Sequence, residues 1–186
     1  GVAPYFRQVV EQDMKIWCKS KGYNLYKDGL KIYTSLDTTM QQFAEEAVAK
    51  QMYGKTRFAS ASKWAQHPKT LARAVKESER YRGLKAEGMS EADIMKNFNT
   101  KTSMKVFAWN DRREKDTTIS PLDSIKYMKG FVQTGFMVMD PATGEVKAWV
   151  GGINHKYFQY DHVNVNTKRK VGSTIKPWLY CLAVDN

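Results

Sequence analysis

Separated helical patterns and hairpin-type strands predict an α+β fold for this chain. Two observations carry that prediction. Apolar residues recur at helical spacing in several capped segments, and Gly135 to Gly152 reads as two short strands around the turn formers Asp140-Pro141 and Thr143-Gly144. A hydrophobic content of 42% over 186 residues suffices to bury a core in one or two domains.

The first helix is expected from Pro4 to about Ser20, with Tyr5, Phe6, Val9, Val10, Met14 and Trp17 on one face. Leu30, Ile32, Thr34 and Leu36 alternate with more polar neighbours, which predicts a half-buried strand. Asp37 then caps a helix carrying Met40, Ala44, Ala47 and Val48. Pro68 starts another helix through Leu71, Ala74, Val75 and Ser78 toward Arg82. Ser90-Glu91-Ala92-Asp93 and Ser120-Pro121-Leu122-Asp123 each open a helix with capping-box-like spacing, and Met104 to Trp109 reads as a strand. Residues 54 to about 130 are therefore expected to fold, because Trp64, Leu71, Val75, Tyr81, Ile94, Phe98, Val106, Phe107 and Trp109 supply apolar surface that a disordered tether lacks.

Thirty Lys and Arg against nineteen Asp and Glu give a formal charge of +11. The basic residues are mostly interleaved with acids, as in Lys76 to Arg80 and Arg112 to Asp116, and read as solvated faces, so nucleic-acid binding is not expected. The compact cluster is Lys168 to Lys170; anionic lipid headgroups or a cell-wall polymer suit such a surface equally. No apolar run reaches the roughly 18 residues of a membrane span, and no signal peptide is present. Cys18 and Cys181 read as free, buried thiols. His67, His155 and His162 show no zinc spacing, and Gly151-Gly152 lacks the Lys-Ser/Thr of a phosphate loop, so neither metal nor cofactor is expected.

The most informative segment is Lys168 to Pro177, where Ser173 and Lys176 stand three residues apart behind Gly172. On a helix, residues at this spacing share a face, so an ammonium can reach the serine hydroxyl. A serine hydroxyl is a weak nucleophile until a neighbour takes its proton. A helix N-terminus and burial both disfavour a charged lysine, which suits it to act as that base. Trp178 to Val184 is apolar nearly all round, which predicts a buried helix behind the nucleophile. Asp161-His162 could suggest a Ser-His-Asp triad, but the adjacent lysine already supplies a base. Tyr157, Phe158 and Tyr160 are expected to pack under a loop sooner than to line a substrate groove.

The strand, Asp-Pro-x-Thr-Gly turn, Val150-Gly151-Gly152 end, loop and Lys168-Arg169-x-x-Gly172-Ser173-x-x-Lys176-Pro177 follow one another as in the bifunctional class A penicillin-binding proteins, which this chain resembles. Gly1 to Phe6 looks like the exit from that family's glycosyltransferase domain, and Gly29 to Asp37 with Met40-Gln41 and Ala44-Glu45 is similar to its linker. The resemblance covers roughly the first 50 and the last 55 residues; residues 54 to about 130 read as an insertion or an elaborated linker about which the family pattern says little. Lys170-Val171 stand where the family more often has Gln-Pro, and Ser35 replaces a common Thr.

The resemblance implies an interdomain linker with an inserted element over residues 1–130 and the N-terminal portion of a transpeptidase domain over 131–186. It implies a fragment of a peptidoglycan synthase, because the family's Ser-x-Asn and Lys-Thr-Gly motifs and its glycosyltransferase carboxylates do not occur in the chain. Ser173 is then the nucleophile and Lys176 its base, with stem peptides and β-lactams as ligands and cell-wall regulators as further partners. The implied setting is the extracytoplasmic, periplasmic side of the cell membrane, with the anchor outside these residues. A serine β-lactamase or penicillin-sensing receptor is the alternative enzyme reading, against which the linker resemblance counts. A non-catalytic docking module is the other alternative.

Overall fold

The computed structural model describes residues 1–53, 67–168 and 170–185. It is a mixture of helices and two small antiparallel sheets, as the patterns predict.

Helix α1 spans Pro4–Lys21 and buries Tyr5 and Cys18. It ends at Gly22, whose φ of 75° suits a residue without Cβ and lets the chain turn. The expected strand at Leu30 to Leu36 does not form: Ile32 and Tyr33 are exposed, and no ladder is made there. Instead the segment touches the second sheet through single bonds, from the Ser35 hydroxyl to the Val146 carbonyl (2.9 Å) and from Asp37 N–H to the Lys147 carbonyl (2.9 Å). Alternation alone does not make a strand: these bonds tie only the end of the segment to that sheet, and no ladder of paired backbone groups follows.

Helix α2, Thr38–Met52, starts where Asp37 accepts the N–H groups of Thr39 and Met40, each at 2.8 Å. Its buried face is Gln41, Ala44, Val48 and Met52, so Met40 and Ala47 point outward, contrary to expectation. The long helix expected from Pro68 is two helices, α3 (Pro68–Glu77) and α4 (Glu79–Ala86). Ser78 divides them: its ψ of 145° leaves the helical region, and its hydroxyl donates to the Val75 carbonyl (2.6 Å) and accepts from Tyr81 N–H (3.3 Å). Helix α5 (Glu91–Asn99) is capped by Ser90 as expected.

Strand β1 (Thr102–Phe107) lies about two residues earlier than the sequence suggests. It pairs antiparallel with β2 (Glu114–Ile119), a strand hidden in what reads as a solvated charge cluster. Asn110 closes the connection, its side chain exchanging bonds with the Glu114 N–H (3.1 Å) and carbonyl (2.9 Å). Helix α6 (Pro121–Lys129) follows with Ser120 as its cap. The last sheet is the expected hairpin, β3 (Phe136–Met139) with β4 (Val146–Val150). Asp140 organises its turn by accepting from Ala142 and Thr143 N–H, and Gly144 supplies the φ of 75° needed there.

Two cores result. Val75, Tyr81, Ile94 and Phe98 pack with Leu122 and Ile125 between α3 and α6. Ala44, Val48 and Met52 of α2 pack against Ala148 and Val150 of β4, with Trp109 and Val132 at the margin. Phe107, also buried, makes edge-on contacts with Trp109 at the margin of the second core and with Phe131 and Phe158, at 5.0 to 5.4 Å. Residues 67–129 are therefore folded, as expected, while Trp64 lies outside the described residues.

Candidate active site

The end of β4 is held by a residue that the apolar pattern passes over. Gln41 is fully buried, and its amide accepts the Trp149 N–H (2.7 Å) while donating to the Trp149 carbonyl (3.0 Å). One side chain thus stands in for the strand neighbour that β4 lacks at this point. Glu45, one turn later, accepts a further bond from the same amide (2.7 Å).

Beyond Trp149 the chain meets Gly151-Gly152. A Cβ on Gly151 would fall 2.3 Å from Asp161 Oδ1 and 2.8 Å from the Tyr5 ring, and one on Gly152 would fall 2.5 Å from the Tyr5 hydroxyl oxygen. These glycines allow backbone and side chains to approach closely, which is a packing role and has nothing to do with phosphate. Tyr5 donates its hydroxyl to the Phe158 carbonyl (2.5 Å) and stacks edge-on against His155, 4.8 Å away. Burial first, and then the Asp161 carboxylate, hold the Tyr5 phenol above its usual pKa.

Asp161 collects the loop. Its Oδ2 accepts the Trp149 indole N–H (2.9 Å), its Oδ1 accepts Val163 N–H (2.9 Å) and Asn164 N–H (3.3 Å), and its carbonyl accepts the Thr167 hydroxyl (2.6 Å). These bonds engage the carboxylate in holding the loop. His162 donates its backbone N–H to the Gly151 carbonyl (2.8 Å) while its ring lies 5.0 Å from that of Tyr160. Tyr157 and Phe158 pack on Phe107, as expected of these aromatics, whereas Tyr160 is exposed.

Ser173 is the second residue of a 3₁₀ turn, Gly172–Ile175, and Lys176 is the first residue of helix α7, Lys176–Asp185. In a 3₁₀ turn residues three apart stack along the axis, so both side chains leave the same side. Lys176 N–H also donates to the Ser173 carbonyl, which closes the turn. Arg169 of the neighbouring basic cluster lies outside the described residues. The expected burial is overturned: Ser173 and Lys176 are exposed, Trp178 is 71% and Leu182 62% accessible, and α7 has no buried residue among those described. Cys181 is accordingly exposed, and only Cys18 is a buried thiol. Apolar composition records what a helix can bury, not whether a covering surface is at hand. No cluster of His, Cys, Asp or Glu able to hold a metal occurs among the described residues.

Comparison with known proteins supplies the context. Residues 53–132 match the model of the penicillin-binding protein middle domain, so a family pattern does reach the stretch in which the sequence alone shows little of one. Penicillin-binding protein 1A of Rickettsia prowazekii (strain Madrid E) is 24% identical over 208 residues, covering 99% of this chain and 26% of the relative. Penicillin-binding protein 1A of Aquifex aeolicus (strain VF5) is 24% identical over 173 residues, covering 88% of this chain and 24% of the relative. Penicillin-binding protein 2D of Bacillus subtilis (strain 168) is 42% identical over 55 residues, which are 30% of this chain and 8% of the relative. The chain thus spans about a quarter or less of the length of these relatives. No solved structure matches. No helix among the described residues is long and apolar enough to cross a membrane. The chain thus carries a match to the penicillin-binding protein middle domain over residues 53–132 and is similar along nearly its whole length to proteins named penicillin-binding protein 1A.

Proposed function

We propose that residues 131–186 open the D,D-transpeptidase domain of a bifunctional peptidoglycan synthase and that residues 1–130 form its interdomain linker. One observation carries this reading: in a chain similar to penicillin-binding proteins, a β-hairpin followed by Gly151-Gly152 leads through a loop anchored by Asp161 to a turn in which Ser173 and Lys176 stand three residues apart. Lys176 takes the hydroxyl proton of Ser173 as its Oγ attacks the carbonyl between two D-alanines of a stem peptide. The Oγ–C bond forms, the C–N bond breaks, and the proton passes to the leaving amine. An amino group of a neighbouring strand then attacks this ester: a new C–N bond forms, the Oγ–C bond breaks and Ser173 regains its proton, whereas a β-lactam acylates the serine by opening its own ring and stays attached. The exposed turn fits a site that further segments of the protein complete, including donors for the oxyanion. The protein then acts on the extracytoplasmic side of the membrane, anchored outside these residues.

Mass spectrometry after incubation with penicillin tests the assignment. The full-length protein should carry the adduct on Ser173, and the isolated 186 residues should carry none. K176R should abolish acylation, because a guanidinium keeps its proton at any ordinary pH. An adduct elsewhere, or a K176R rate within about tenfold of wild type, less than a general base is worth, overturns the respective role.

A further inference from the structure

We propose that Asp161 is a positioning residue for Ser173, fixing the loop that carries the nucleophile turn to the end of β4. The inference rests on Ser173 being the nucleophile. Its structural side is independent of that assignment.

The carboxylate joins two parts of the chain that sequence distance separates only slightly but that backbone freedom would otherwise leave loose. On one side is Trp149, itself immobilised because Gln41 holds both of its backbone groups. On the other is the turn at Val163 and Asn164, whose N–H groups converge on Oδ1. Thr167 closes that turn with its hydroxyl on the Asp161 carbonyl (2.6 Å) and stands six residues before Ser173. The surroundings leave the turn little room. A Cβ on Gly135 would lie 3.0 Å from the His162 carbonyl atoms, and one on Gly151 would lie 2.3 Å from Asp161 Oδ1.

A carboxylate suits this task better than its isosteric amide. It offers two acceptor oxygens and no donor, and it faces N–H groups on both sides. In the D161N variant the one remaining oxygen could still serve the backbone turn, but the new NH₂ would then confront the Trp149 indole N–H, donor against donor. A nucleophile displaced by about 1 Å can lose on the order of a hundredfold in rate. A loop released at Asp161 is therefore expected to slow acylation.

The test is stopped-flow acylation of the full-length protein by a chromogenic β-lactam, with the rate constant at saturation read separately from binding. D161N should lower that rate constant by about tenfold or more while the half-saturating concentration changes little, since misplacement acts on the reacting geometry. W149F/D161N should regain at least about threefold of that loss, because the opposing donor is gone. T167V, which removes only the hydroxyl bond to the Asp161 carbonyl, provides the second variant should D161N not fold. It should slow acylation with its thermal midpoint near wild type. D161N or T167V acylating within about twofold of wild type overturns the proposal, given the sensitivity of rate to placement. So does a D161N defect that tracks lost thermal stability and is not relieved by W149F. S173A separates the two levels: residual acylation there would remove the nucleophile assignment, whereas S173A silent with D161N unimpaired removes only the role of Asp161.

Discussion

Residues 67–129 and residues 136–185 are built in opposite ways. The first region closes on itself: Val75, Tyr81, Ile94 and Phe98 come from consecutive helices, and Ser78, Ser90 and Ser120 cap helices within it. The second region borrows its support. β4 takes its apolar backing and the Gln41 clamp from α2, and its glycines fit around Tyr5 of α1. Its last helix, α7, is exposed. The difference separates a module that stabilises itself from a segment whose order depends on elements elsewhere in the chain.

The contrast breaks most strongly at Phe98, fully buried at the centre of the first region. F98A should cost about 3–5 kcal/mol, since it removes a large side chain and leaves a cavity. Denaturant unfolding followed by hydrogen exchange should show the loss concentrated in residues 67–129, with β3 and β4 protected nearly as before; equal loss in both regions would deny the first its independence. Next is Q41A, which strands the Trp149 N–H and carbonyl away from water. It should cost about 2–6 kcal/mol, at about 1–3 kcal/mol per buried group left unbonded. Here exchange should accelerate at β4 and leave α5 unchanged.

The smallest effect concerns the seam between the regions. Glu114 of β2 binds Lys156, the Tyr157 hydroxyl (2.9 Å) and Lys105 (3.4 Å). The Lys156 bond first, and then that from Tyr157, lower its pKa from 4.5 to about 2. A carboxyl whose folded value lies below its unfolded one stabilises the fold above the unfolded value, and that contribution fades as pH falls from 4.5 toward 2. Wild type should therefore melt above E114Q at pH 6, with the gap narrowing through that window. A gap that is constant from pH 6 to about 2.5 would show that the ion pairing adds nothing there.

What was legible follows the range of the interaction. Asp37, Ser90 and Ser120 announce their helices because a cap acts within three residues. The hairpin at Asp140 is readable for the same reason. Strand β2 was not, because Glu114, Lys115 and Asp116 look like a solvated run until β1 pairs with them. Residues 30–36 err the other way, alternating like a strand but forming no ladder with one. Ser173 and Lys176 stand out by their spacing, whereas the loop anchor does not. Gln41 and Trp149 are 108 residues apart, and a single polar residue on a helix gives no sign of a partner at that distance. The helix α7 was misread because burial belongs to a pair of surfaces and a sequence displays one.

The fit of Tyr5 against Gly151 and Gly152 bears on how such proteins can be recombined. The aromatic ring and the bare backbone are complementary shapes encoded at opposite ends of the chain. A chimera joined anywhere between them inherits its ring from one parent and its glycines from the other. Where the second parent carries any side chain at the position of Gly151 or Gly152, the graft must move α1 or discard the Tyr5–Phe158 bond. Natural and engineered exchanges between relatives should therefore succeed at junctions that keep both ends together, and the two short motifs should travel as a single hereditary unit.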